Sequence, residues 1–98
     1  MVKILRTAEF DNWLDRLKDR LAKSSVQARI DRLAKGNAGD VKPVGEGVSE
    51  MRIHVGAGYW VYFTRVGTTI VLLLCGGDKS SQNRNIERAL EMAPILKE

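Results

Sequence analysis

VSEMRIHVGAGYWVYFTRVGTTIVLLLC, residues 48–75, decides the fold. Val48 to Val55 alternates. Met51, Ile53 and Val55 fall on one face, and Glu50, Arg52 and His54 on the other, which is the period of a strand with two unlike faces. Gly56-Ala57-Gly58 reads as a hairpin turn. Tyr59 to Val66 alternates again, with Tyr59, Val61 and Phe63 opposed to Trp60, Tyr62 and Thr64. Gly67 makes a second tight turn. Thr68 to Cys75 is almost wholly apolar, as in a strand covered on both faces. Turns this short join antiparallel neighbours, so the three strands form a meander.

C-terminal to it, Gly76-Gly77-Asp78-Lys79 ends the last strand. A helix is expected from Ser80 or Ser81, burying Ile86, Ala89, Leu90 and Ala93, with Pro94 ending or kinking it. N-terminal to it, Gly36 to Gly47 holds four glycines and a proline and reads as a loop. Before that loop, Phe10, Trp13, Leu14, Leu17 and Leu21 make one helical stripe. Thr7 is placed to cap this helix. Ser24 and Gln27 read as a capping box, so the helix is expected to break there. The second helix presents Val26, Ile30 and Leu33 and stops at Gly36. Val2 to Arg6 is a short strand candidate. The order is β-α-α-β-β-β-α. It predicts one α+β two-layer domain over residues 1–98, with a helical hairpin covering one face of the meander.

Length and composition narrow the function. A chain of 98 residues and 10.9 kDa holds one modest core and no full dinucleotide-binding fold. One cysteine, Cys75, excludes an internal disulfide. With one histidine, His54, it leaves too few ligands for a typical structural zinc site. These features suit a reducing cytoplasm. The N-terminal residues do not read as a signal or transit sequence, and no apolar run approaches the roughly 20 residues of a membrane helix. The net charge of +4 is compatible with a nucleic-acid or an acidic protein partner. Residues 1–40 carry nine of the sixteen Lys/Arg but only six of the twelve Asp/Glu, so the excess lies mainly in the helical half.

Several patterns recur in order: F-x-x-W-L-x-x-L at Phe10 to Leu17, R-I-x-R-L at Arg29 to Leu33 and G-N-x-G-D-x-K-P-V-G-x-G-V at Gly36 to Val48. They continue with E-M-R-I at Glu50 to Ile53, G-x-G-Y at Gly56 to Tyr59, V-Y-F at Val61 to Phe63 and L-L-x-G-G-D-K at Leu73 to Lys79. In this order the chain resembles the RelE/ParE superfamily of type II toxin–antitoxin toxins, and most closely the HigB-like addiction module killer proteins. The resemblance implies a small cytoplasmic toxin neutralised by a cognate antitoxin, usually one with a helix-turn-helix, in a hetero-oligomer able to sit on operator DNA. RelE and HigB relatives cleave mRNA on the ribosome without metal or cofactor. ParE relatives inhibit DNA gyrase.

If Met51, Ile53, Val61 and Phe63 face the helices, then Glu50, Arg52, His54, Trp60 and Tyr62 share the opposite face. Such a face offers cations for phosphate and aromatics for unpaired bases. Arg52, His54, Lys79 and Tyr62 are the catalytic candidates. Arg52 either forks onto phosphate or pairs with an acid such as Glu50. His54 is a candidate proton carrier or a plain exposed residue. Lys79 either binds phosphate or pairs with Asp78. Tyr62 either contacts a base or is an ordinary sheet tyrosine. Lys42, Trp60, Gln82 and Arg84 are candidate RNA contacts; for Lys42, Gln82 and Arg84 the alternative is a plain solvated surface residue.

One position departs from the family. The RelE-like pattern has Gly-Tyr-Arg where this chain has Gly58-Tyr59-Trp60. Trp60 either stacks on a base in a repurposed site or marks an attenuated toxin, in which case Trp60→Arg should increase growth arrest. Three functions therefore stand: a ribosome-dependent mRNA endonuclease, a gyrase inhibitor without catalysis, and a degenerate antitoxin-binding module. Charge reversal at Arg16, Arg20 and Arg29 together is expected to weaken an antitoxin complex.

Overall fold

The computed structural model describes residues 2–96. In chain order the elements are β1 (Lys3–Arg6), α1 (Ala8–Arg16), α2 (Arg20–Ala34), β2 (Val41–Gly45), β3 (Val48–Ile53), β4 (Tyr59–Val66), β5 (Ile70–Asp78) and α3 (Gln82–Leu96). A 3-10 turn, Lys79–Ser81, leads into α3. The strands form one sheet in the order β1-β5-β4-β3-β2. β3, β4 and β5 pair as the expected antiparallel meander, while β1 runs parallel to β5. The fold is α+β.

Val41–Gly45 is a strand where its composition suggested a loop. It pairs antiparallel with β3, from Val41 opposite Met51 to Gly45 opposite Val48. As an edge strand it can accommodate Pro43, which has no N–H to donate. The glycines serve the turn that follows: Gly45, Glu46 and Gly47 all have positive φ, at 120°, 50° and 79°. They reverse the chain in so few residues that β2 can pair with β3.

The first helix also breaks earlier than its apolar stripe suggested. Thr7 caps α1 as expected, its hydroxyl accepting from Phe10 N at 3.0 Å and donating to Leu74 O at 2.6 Å. α1 then stops at Arg16, and Asp19 caps α2 by accepting from Leu21 N at 2.9 Å and Ala22 N at 3.2 Å. Ser24 and Gln27 lie inside α2. The earlier break swings Leu21 out of the stripe, leaving it 65% exposed.

The sheet is packed on both faces. On one, Phe10, Leu14, Val26, Ile30 and Leu33 from α1 and α2 meet Met51, Ile53, Val61, Phe63, Val71 and Leu73. On the other, Ala89, Met92 and Ala93 of α3 meet Val48, Trp60, Tyr62, Leu74 and Cys75. α3 therefore lies across the face that alternation alone left open. Two glycines admit these layers. A Cβ on Gly76 would stand 2.4 Å from Trp13 Cε3, and one on Gly77 would stand 1.9 Å from Asn85 Oδ1. A side chain at Gly76 would press on the Trp13 ring of α1, and one at Gly77 would displace the Asn85 and Ser81 side chains. Helix α3 passes through Pro94 without ending. Among the described residues no helix is long and apolar enough to cross a membrane.

Candidate functional site

A pocket of about 190 Å³ opens where β2, β3 and the start of α3 converge. It is lined by Asp40, Lys42, Glu50, Arg52, Trp60 and Gln82. Sheet register builds it: Lys42 lies opposite Glu50, Glu50 opposite Tyr62, and Arg52 opposite Trp60. With period two, Glu50 and Arg52 project to the same face. Gln82, the first residue of α3, closes the pocket from above.

Glu50 is the centre of this arrangement. It is 5% exposed, and its Oε2 accepts from Tyr62 OH at 2.9 Å and Gln82 Nε2 at 3.1 Å. A buried carboxylate needs such donors, because losing water without replacement costs several kcal/mol. Burial first, and the adjacent Glu50 carboxylate second, push the Tyr62 phenol well above its ordinary range. Tyr62 is thus a fixed neutral donor. Among the described residues no carboxylate lies within 4.0 Å of the Arg52 guanidinium or the Lys42 ammonium. Arg52 instead rests over the Trp60 ring, 5.5 Å from its centroid.

The structure brings Lys42, Arg52, Trp60 and Gln82 together around one pocket, with Tyr62 beneath it. It does not bring the other candidates there. Lys79 stands exposed in the 3-10 turn, and Arg84 is exposed in the first turn of α3. His54 lies outside the pocket, its Nε2 2.6 Å from Asp40 Oδ2. The expected aromatic platform is absent. Trp60 is only 7% exposed and Tyr62 is fully buried, because α3 covers both. Glu50 and Asp40 escaped the sequence reading as site residues. Alternation put Glu50 on the right face, but its burial follows from α3. Asp40 fell in what read as a loop.

No family model matches the chain. A protein of Haemophilus influenzae, described as an uncharacterized protein, is 47% identical over 95 residues, spanning 97% of this chain and 96% of its own length. The chain belongs to that protein's family.

In this member of the family, Arg29 holds the floor behind the pocket. It is buried, donates through Nη1 to Arg52 O and through Nη2 to Ala38 O at 2.9 Å. Gly39, at φ 69°, lies against its guanidinium, where a Cβ would stand 2.7 Å from Nη2. Arg29 thus ties the segment carrying Asp40 to the backbone of Arg52. Burial, and then the charge of Arg32, lower its pKa from the ordinary value, while Asp40 opposes the change. Arg29 is therefore a structural cation. Of the three arginines proposed for an antitoxin surface, only Arg16 and Arg20 are exposed.

The pocket can do acid–base and electrostatic work. A carboxylate can take a proton, and a guanidinium and an ammonium beside it can neutralise an anion. Among the described residues no three His, Cys, Asp or Glu side chains cluster as metal ligands.

Proposed function

We propose that the chain is the toxin of a type II toxin–antitoxin module of the RelE/ParE type, acting in the cytoplasm as a ribosome-dependent mRNA endonuclease. The observation that carries this reading is the buried Glu50 carboxylate beside two cations without carboxylate partners, Lys42 and Arg52, in one pocket. In the proposed reaction Glu50 takes the proton from an RNA 2′-hydroxyl. The freed oxygen attacks phosphorus, and the bond to the 5′-oxygen breaks. A 2′,3′-cyclic phosphate forms, and the departing oxygen takes a proton from water. Arg52 and Lys42 hold the phosphate oxygens, while Tyr62 and Gln82 orient Glu50. The motif resemblance supplies the substrate and the partners: ribosome-bound mRNA, and an antitoxin with which the toxin forms a hetero-oligomer on operator DNA.

Trp60 replaces the family's arginine, so one phosphate contact is missing. A lost contact of this kind removes about 2.7–4 kcal/mol of transition-state stabilisation, which supports an attenuated enzyme. The burial of Trp60 and Tyr62 favours a second reading, because it leaves the pocket no open aromatic platform for a base. That reading is a protein-binding toxin without catalysis, a gyrase inhibitor or a degenerate antitoxin-binding module. Inducing the chain in bacteria and mapping mRNA 5′ ends separates them. Codon-phased cuts on translated messages support the endonuclease. SOS induction with cleaved gyrase–DNA complexes supports the inhibitor, and absence of both supports the degenerate module.

A further inference from the structure

A second pocket, of about 300 Å³, lies on the opposite face of the sheet. It is lined by Ser25, Ala28, Arg29, Arg32, Ile53 and His54. The four α2 residues recur at helical spacing on one face, and β3 and the residue after it supply Ile53 and His54. Its charge differs from that of the Glu50 pocket. There, two carboxylates balance two cations. Here, two guanidiniums and an imidazole meet with a hydroxyl, and no carboxylate lines the pocket.

The cations are also held close together. Arg29 cannot swing away, because both of its terminal nitrogens donate to backbone carbonyls. Arg32 is near enough to depress the Arg29 pKa, and among the described residues no carboxylate lies within 4.0 Å of the Arg32 guanidinium. Asp40 offsets part of this charge from beside His54, and the remaining repulsion between neighbouring like charges is relieved by a bound anion. The two pockets are joined at the sheet edge. His54 lines one, Asp40 lines the other, and the two side chains stand 2.6 Å apart. Arg52 projects into the Glu50 pocket while its carbonyl accepts from Arg29 on the other side.

We infer that the Arg29–Arg32–His54 pocket is a second phosphate site, which grips a backbone phosphate of the same single-stranded RNA whose cleaved bond lies in the Glu50 pocket. This rests on the endonuclease reading for its ligand. Lined by cations and a hydroxyl, it reads backbone and not base. It adds a second grip on the strand beside the Glu50 pocket, where Arg52 and Lys42 hold the phosphate under attack.

The test uses the full chain and a 2′-O-methyl single-stranded RNA, which lacks the attacking hydroxyl. Affinity is measured by fluorescence anisotropy over a range of salt. Arg32→Gln alters an exposed side chain. It should weaken binding roughly tenfold at low salt, equally for different sequences, and flatten the slope of log affinity against log salt by about 0.7. Lys18→Gln, on the loop between α1 and α2, should leave the slope unchanged. A parallel NMR titration with inorganic phosphate should shift Ser25, Arg32 and His54. RNA binding with an unchanged slope in Arg32→Gln overturns the second site and leaves the endonuclease reading standing. Phosphate shifts at these residues without any RNA binding overturn the RNA occupant, while the endonuclease reading, which requires the ribosome, stands or falls on the mapping of mRNA 5′ ends.

Discussion

The Tyr62 hydroxyl donates to Glu50 Oε2 across 2.9 Å, with both side chains buried between the sheet and α3. A tyrosine that alternation placed on an open face is thus a support for a carboxylate. The pair also couples stability to the site, because Glu50 cannot stay buried and charged without its donors.

Tyr62→Phe removes one of the two donors to Glu50 and leaves Gln82. The expected loss is about 1.5–3 kcal/mol, as for a hydrogen bond to a charged group. At about 4–8 °C per kcal/mol for a domain of this size, a thermal melt followed by circular dichroism should resolve it easily. An unchanged melting temperature would show that Glu50 does not depend on this bond.

Alkaline pH should act through the same residue. In the unfolded chain a tyrosine ionises near about 10, whereas burial and Glu50 raise the Tyr62 pKa in the fold. The folded state therefore holds the proton more tightly. Its contribution is complete below about pH 10 and is lost as pH rises toward the folded value. Denaturant melts between pH 8 and 11 should show stability falling at the alkaline end. Tyr62→Phe should show a shallower fall.

Cys75 offers a probe of the intact α3 layer. Burial foremost, with Glu9 adding to it, pushes its thiol up to about 12. At pH 8 the native thiol is almost entirely un-ionised, so iodoacetamide should label it about a hundredfold or more slower than in the unfolded chain. Rapid native labelling would mean that α3 opens readily.

Trp60→Arg should not behave as the resemblance to the RelE-like pattern alone suggests. The pattern predicts more growth arrest. Yet Trp60 is packed with Leu74, Cys75 and Met92 under α3. Removing a buried tryptophan costs about 3–5 kcal/mol, and an arginine there must bury a charge or displace the helix. The expected result is a lower melting temperature and no gain in toxicity. A variant as stable as the parent, with stronger arrest, would show that the backbone here can present an arginine to the pocket.

The meander was legible because alternation is a local signal. Met51, Ile53, Val61 and Phe63 could be assigned to one face without knowing what lay on it. Strand β2 was not legible, since the glycines that make its turn with β3 resemble those of a long loop. The helix break was read at Ser24, but Asp19, which carries the same capping chemistry five residues earlier, is the residue that caps α2. The position of α3 mattered most. Ala89 and Ala93 mark an apolar stripe but not the face it covers, and the clue lay in Gly76 and Gly77, where backbone is closely approached. Once α3 is placed, Trp60 and Tyr62 become core, Glu50 becomes the buried centre of the pocket, and Lys79 and Arg84 fall outside it.

The most direct test places purified protein in a cell-free translation reaction and maps the 5′ ends of the translated message. Wild type is compared with Glu50→Gln and Arg52→Gln, each first shown to be folded. The account predicts codon-phased cuts by wild type, reduced at least about a hundredfold in both variants, as for the loss of a catalytic base or an electrostatic contact. No cuts by wild type, or cuts undiminished in Glu50→Gln, would contradict it.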